Sequence, residues 1–397
     1  MSVSLNTNYL KKPKILIFTH SGGGGHEAAA AAVKKALEKD YKVHITRPLA
    51  KLTGDNLFNY LQKKGYNNLL RVLTKTQRLC EITLAPLQER PLITKAIKRH
   101  KPDLIISVFP IGNYLIQREA AKKHIPFLIL PTDLEASHFF HFIRSPNPKY
   151  FKIGLAFDDK RLKDQLRGNR IIGQLKDEHF VVTGYPLRPE FSKPPTEKQL
   201  QKLRSKLKIK PEDKVVLIMM GAQGAGSTIL KDAIRIANSK APSKRPPFSI
   251  KVICLCGNKK ELIPALKLIH KQRKNPLISI QGLPKQEAAD IAALMYTADC
   301  IITKPGGSTI NETFATQLPS LLHCEGVRAA PWEGYNAWYA KHKRLGKRII
   351  SSCFLEQLYD TLSSPKKTRT LKCPGRDFAK HIQITTHNMI LDARNTT

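Results

Sequence analysis

Carboxylates are scarce in this sequence: 31 Asp and Glu stand against 67 Lys and Arg over 397 residues, a formal charge of +36. The imbalance exceeds what solubility requires and predicts attraction to a polyanion, for which nucleic acid and an anionic membrane surface both qualify. Long apolar runs are also missing. No stretch approaches the roughly eighteen uninterrupted apolar residues of a membrane-spanning helix. The start, "MSVSLNTNYLKKPK", lacks an apolar core ahead of its lysines and reaches the first strand too soon for a long transit peptide, so the chain reads as cytosolic. The seven cysteines (Cys80, Cys254, Cys256, Cys300, Cys324, Cys353 and Cys373) follow neither a zinc pattern nor a disulfide framework. "CLC" at Cys254 and Cys256 places both sulfurs on one strand face, as buried thiols. There is no D-x-D triplet; the nearest approach is "DLE", Asp133 to Glu135.

What is present is a repeated alternation. Short apolar runs ("KILIFT", "KVHIT", "DLIISVF", "PFLIL", "HFVVTG") are separated by helix-compatible stretches such as residues 27–39, the pattern of a parallel sheet covered by helices. A proline- and lysine-rich segment, residues 188–214, reads as a linker. A second series then follows: "KVVLIMM", "IKVICLC", "LISI", "DCIIT", "SLLH" and "RIIS". The expectation is α/β, with two Rossmann-like domains over residues 1–187 and 215–365. Residues 366–397 form a helical segment expected to pack back on the first domain.

Three glycine turns follow strands and precede helical runs: residues 21–26, 221–227 and 305–308. Each offers free backbone N–H groups and the positive end of a helix, which suits an anion. Glycine can also serve only to make a tight turn. None fits the P-loop pattern, because "GAQGAGST" lacks the lysine that reaches the terminal phosphates. In "DCIITKPGGSTINET", Gly306, Gly307, Ser308 and Thr309 open a helix that carries Glu312, well placed to accept from ribose hydroxyls or simply to sit at a helix start. Further on, "APWEGYNAW" offers Glu333 and Asn336 to sugar hydroxyls, or to a surface loop.

Taken together, "SGGGGHEAAAAAV", "LPTDLEASHFF", "VTGYPLRPEF" and "ADCIITKPGGSTINETFATQLP" resemble the monogalactosyldiacylglycerol synthase and processive diacylglycerol glucosyltransferase family. More distantly, the chain resembles the bacterial transferase that adds N-acetylglucosamine to lipid I. The resemblance implies a GT-B fold, two Rossmann-like domains whose sheets face each other across a cleft. It implies an inverting transfer of galactose or glucose from a UDP-sugar to diacylglycerol, with no metal and no other cofactor. The donor would meet Gly221, Ala222, Gln223, Gly224, Gly306, Gly307, Ser308, Thr309 and Glu312, and its sugar Glu333 and Asn336. Ala222 and the "PWEGYN" lead depart from the related enzymes and leave the sugar open.

On the acceptor side, Gly23, Gly24 and Gly25 would let substrate approach the backbone and deliver His26 to the helix start. A lone histidine is more often structural; the resemblance makes His26 the first candidate for general base, with Asp133 as alternative base or orienting group and His138 as an acceptor contact. Ten basic residues between Leu61 and Lys101 face only Glu81 and Glu89 and are interleaved with leucines, which reads as a membrane-surface segment or as an ordinary solvated helix. A peripheral protein on the inner, cytoplasmic membrane face is therefore expected. Nucleic acid is the competing partner for the charge, but no nucleic-acid motif accompanies it.

Overall fold

The computed structural model describes residues 12–20, 24–47, 69, 85–140, 142–143, 146–158, 160, 163, 175–221, 226–240, 248–324, 331–364 and 377–395. They form two compact units, one built from the described residues up to Pro189 together with 377–395, the other from those between Glu190 and Ser364.

The first unit carries a six-stranded, all-parallel sheet in the order β2-β1-β3-β4-β5-β6. Its strands are β1 (Lys14–Phe18), β2 (Lys42–Thr46), β3 (Leu104–Ser107), β4 (Phe127–Ile129), β5 (Phe151–Leu155) and β6 (Phe180–Val182). The central strands are uninterrupted apolar runs because helices cover both faces. On one face, Ile15 and Ile17 pack with Ala29, Val33 and Leu37 of helix α1 (Gly24–Leu37). On the other, Leu16 and Phe18 pack with Ile93 and Ile97 of α2 (Ala85–His100) and with Leu115 and Ile116 of α3 (Asn113–Ala121). Strand β5, "FKIGL", was not among the expected runs. Lys152 interrupts the apolar pattern and stays half-buried, its amine reaching the Glu178 carbonyl at 2.7 Å.

The second unit repeats the plan with β7 (Lys214–Met219), β8 (Ile250–Leu255), β9 (Ile278–Leu283), β10 (Cys300–Thr303), β11 (Ser320–Leu322) and β12 (Gly346–Arg348), in the order β12-β11-β10-β7-β8-β9. The helices are α4 (Glu197–Lys206), α5 (Gly226–Ala237), α6 (Leu262–Lys271), α7 (Ala288–Thr297), α8 (Gly307–Thr316), α9 (Pro331–His342) and α10 (Phe354–Ser363). Helix α4 occupies the middle of the expected linker: Thr196 caps it, its hydroxyl accepting from the Gln199 amide, and it packs on α7. Strand β12 starts two residues before the expected run "RIIS" and shares only Arg348 with it, since Gly346 pairs with Ser320 and Arg348 with Leu322. Cys254, Cys256 and Cys300 are buried thiols, and burial pushes the Cys300 thiol up to about 12.

Both units use the same small device where strands start. Asp103, just before β3, accepts from the Lys14 amide at 2.8 Å and donates its own amide to the Lys14 carbonyl; Asp299, just before β10, does the same with Val215. Helix α11 (Phe378–Arg394), last along the chain, belongs to the first unit.

Candidate functional site

In each sheet the strand order reverses direction at one point, where the helices after two neighbouring strands diverge and leave a crevice beyond the carboxyl ends. In the first unit that point lies between β1 and β3, because β1 leads to β2 on one side and β3 to β4, β5 and β6 on the other.

His26, in the first turn of α1, sits there half-buried. Its Nδ1 lies 3.0 Å from the Val108 carbonyl, just past β3, and 3.0 Å from the Thr132 hydroxyl, past β4. A carbonyl can only accept, so Nδ1 carries the proton and Nε2 keeps its lone pair. The Thr19 hydroxyl donates to the His26 carbonyl at 3.1 Å, tying α1 to the end of β1. Phe109 touches the His26 ring edge-on and stacks face-to-face on buried His20, with ring centroids 4.3 Å apart. Burial pulls the His26 pKa down to about 4, against the opposing pull of Asp133, so the ring is neutral at pH 7.

The loop after β4 supplies the acids. His138, in a short 3₁₀ turn, lies 3.6 Å from Asp133 and 3.5 Å from Glu135. Burial alone would lower its pKa, but hydrogen bonds to Asp133 and Glu135 hold it up at about 9, so it is a cation at neutral pH. Burial opposes ionisation of Glu135, yet His138 and the Ser137 amide outweigh it and keep that carboxyl below its ordinary range. Two further side chains fix the loop. The buried Tyr185 hydroxyl donates to the Thr132 carbonyl at 2.8 Å, and the Asn113 amide donates to the Phe109 and Phe139 carbonyls. His26 thus meets Asp133 and His138, which belong to one loop far along the chain, at one end of one sheet. Gly24 and Gly25 form the first turn of α1 rather than a separate loop. Gly23 lies outside the described residues, as does most of the basic segment before Ala85.

In the second unit the reversal lies between β7 and β10, and both strands end in the expected glycine turns. Gly221 adopts φ +78°, a conformation that only glycine takes without strain. Gly306, the cap of α8, has an ordinary φ of −70°, and a Cβ there would meet nothing closer than the Lys304 Cε at 3.8 Å. Neither backbone nor packing therefore requires glycine at Gly306; the space before the helix N-terminus is open, as a close-approaching anion needs. Lys304 spans both turns, its Cε also lying 3.4 Å from where a Gly221 Cβ would be. Its amine pairs with buried Glu333 at 2.7 Å.

Asn336 is wholly buried and its amide donates to the Pro305 carbonyl at 3.1 Å, so it supports the turn from beneath. Glu312 is likewise buried, while Ser308 and Thr309 are half-buried at the helix start. Past β11, His323 Nε2 meets the buried Asp232 carboxylate of α5 at 2.6 Å. Ala222, Gln223 and Gly224 lie outside the described residues. Among the described residues no cluster of three or more His, Cys, Asp or Glu is grouped to hold a metal ion.

Sequence reasoning passed over Lys304, Thr132, Tyr185 and the His323–Asp232 pair. Lys304 had a readable signal, a cation directly between an apolar strand and a proline-glycine turn. The others are defined only by tertiary contacts.

No family model matches this chain. In sequence it is 27% identical over 231 residues to the processive diacylglycerol beta-glucosyltransferase of Bacillus licheniformis, covering 58% of this chain and 53% of that protein. It is 28% identical over 235 residues to the chloroplastic monogalactosyldiacylglycerol synthase 3 of Arabidopsis thaliana, covering 58% of this chain and 46% of that protein. The chain spans about half the length of the curated relatives it matches. Among solved structures, MurG of Acinetobacter baumannii superposes with a TM-score of 0.51 at 16% identity, over 96% of this chain and 95% of that one. The UDP-GlcNAc 2-epimerase of Neisseria meningitidis, bound to UDP-GlcNAc, gives 0.55 at 15% identity, over 95% and 100%. At such identities the likeness is one of fold, which hosts more than one reaction. In sequence the chain is thus similar to the processive diacylglycerol glucosyltransferases and monogalactosyldiacylglycerol synthases, and its two six-stranded parallel sheets are the two Rossmann-like domains of the GT-B fold.

Proposed function

We propose that this protein is a membrane-surface glycosyltransferase that moves glucose or galactose from its UDP derivative to the hydroxyl of diacylglycerol, with inversion and without a metal. The observation that carries the reading is the second unit's strand reversal, where Lys304 lies across two glycine turns and an open helix N-terminus. That arrangement suits a sugar diphosphate whose charge grows as the sugar leaves. The relatives' names supply the acceptor class, and the charge of +36 supports attachment to an anionic bilayer at the cytoplasmic face.

The chemistry assigns His26 Nε2 to take the proton from the acceptor hydroxyl. The acceptor oxygen attacks the anomeric carbon, the bond from that carbon to the phosphate oxygen breaks, and UDP departs with the bonding electrons. Lys304 and the α8 amides receive the developing charge, the job a metal does elsewhere. Asp133, held by His138, stabilises the imidazolium that forms. Glu312 is assigned to the ribose, Glu333 to the donor sugar, and Asn336 to support of their turn.

The deciding assay uses liposomes of diacylglycerol with an anionic phospholipid and either UDP-glucose or UDP-galactose. A glycolipid product is expected, insensitive to chelator. If lipid I instead accepts N-acetylglucosamine while diacylglycerol accepts nothing, the acceptor assignment fails.

A further inference from the structure

Helix α9 has two unlike faces. Glu333 and Asn336 point into the unit, on the Lys304 turn. Trp338 points out, 43% exposed, although a large aromatic normally hides most of its surface. Tyr335 and His342 flank it along the helix, the His342 ring stacked on Trp338 within 8° of parallel. Around and beyond this row, Lys341, Lys343, Arg344, Lys347 and Arg348 are all exposed. Residues 337–350 contain no Asp or Glu, and none of those five cations forms an ion pair among the described residues.

We propose that this face, Trp338 with its surrounding Lys and Arg, is where the second unit docks on an anionic phospholipid bilayer. Uncompensated cations next to a negative surface each add about 1 kcal/mol, and an indole with one polar edge favours the headgroup level of a bilayer. A solvated helix face would gain nothing from an exposed indole. Because α9 carries Glu333 and Asn336 on its other side, docking here holds the donor half itself at the surface where a lipid acceptor lies. The inference deepens the membrane reading above, yet it needs neither donor nor acceptor to be tested.

The test is sedimentation with phosphatidylcholine vesicles, with and without phosphatidylglycerol. The wild-type chain should bind the anionic vesicles. The triple variant Lys341→Glu, Lys343→Glu, Arg344→Glu should bind them about a hundredfold more weakly, with an unchanged melting temperature to show that it folds. In a Trp332→Phe background, Trp338 emission should shift to the blue on anionic vesicles and be quenched by brominated lipid. Wild-type binding by the triple variant overturns the proposal, as does Trp338 emission that ignores brominated lipid while the protein is bound. Loss of single-stranded RNA binding with vesicle binding intact overturns it too, and marks the face as an oligonucleotide surface. None of these outcomes depends on sugar transfer, so the docking face and the reaction can fail separately.

Discussion

His26 illustrates how three strand ends position one imidazole, the proposed base: α1 carries the ring after β1, and the Val108 carbonyl and Thr132 hydroxyl orient it from β3 and β4. His26→Ala should lower turnover by about 10²–10⁴-fold while UDP affinity stays nearly constant, read by steady-state kinetics and calorimetry. The pH dependence is more telling. The folded pKa lies near 4, below the ordinary 6.5, so the neutral, proton-accepting form persists as pH falls and is lost only as pH drops through that lower value. Activity should stay flat from pH 8 to about 5. An acid limb centred at 6.5 would exclude this imidazole. At the donor end, removing Lys304 alone would strand buried Glu333 as an unpaired charge. The double variant Lys304→Met, Glu333→Gln avoids that and should raise the UDP dissociation constant by about 10–100-fold through loss of a charged hydrogen bond. Unchanged UDP affinity would remove Lys304 from the diphosphate site. The glycines and His26 were legible in the sequence because a strand, a glycine turn and a helix occur in immediate succession. The partners of His26 were not, since Val108 and Thr132 lie 82 and 106 residues away and no local pattern marks a carbonyl.

Elements were legible where an apolar run is unbroken over four or more residues, as in β1, β7 and the part of β8 after Lys251, and less so where a lysine and a glycine leave no such run, as in β5, or where a helix stands in a proline-rich stretch, as in α4. Helix α2 holds an anomaly of the opposite kind. Glu89 is 3% exposed, its Oε2 has no hydrogen-bond partner among the described residues, and burial pushes its pKa up to about 7. Its carboxyl stands on the side of Ile93 and Ile97, one and two turns on, which pack into the sheet. The folded state therefore holds a proton that the unfolded chain releases near its ordinary 4.5, so stability falls as pH rises from 4.5 through 7. Glu89→Gln keeps the shape without the ionisation. Its advantage over the wild type should be near zero at pH 4 and on the order of 2–3 kcal/mol at pH 8, measured by denaturant unfolding of the first unit. A pH-independent difference would mean that the carboxyl does not titrate in this site.

At the scale of the whole chain, two series of apolar runs gave the expectation of paired α/β halves, and residues 366–397 were expected to pack back on the first; which side chains make that return is defined only by the tertiary core. Helix α11 puts Phe378, Ile382, Met389 and Ile390 into the same core as Ile15, Ile17, Ala29 and Leu37. Gln383 donates to the Ala36 carbonyl at 2.9 Å, and Arg394 bonds at 3.0 Å to Asp103, the residue that also anchors the start of β1. Four large side chains at about 1.5–3 kcal/mol each, about 6–12 kcal/mol together, match a domain's usual margin of about 5–15 kcal/mol. Ending the chain at Ser364 should therefore unfold the first unit, although every one of its strands is still present. The second unit, whose core draws on Phe354, Leu358, Tyr359 and Leu362 just before that cut, should stay folded. Limited proteolysis of the truncated chain should leave a fragment of about residues 190–364 that binds UDP with the affinity of the full chain. If the truncated chain instead keeps a protease-resistant first unit, α11 is a peripheral addition and the core contacts of Ile382 and Met389 carry little of the stability.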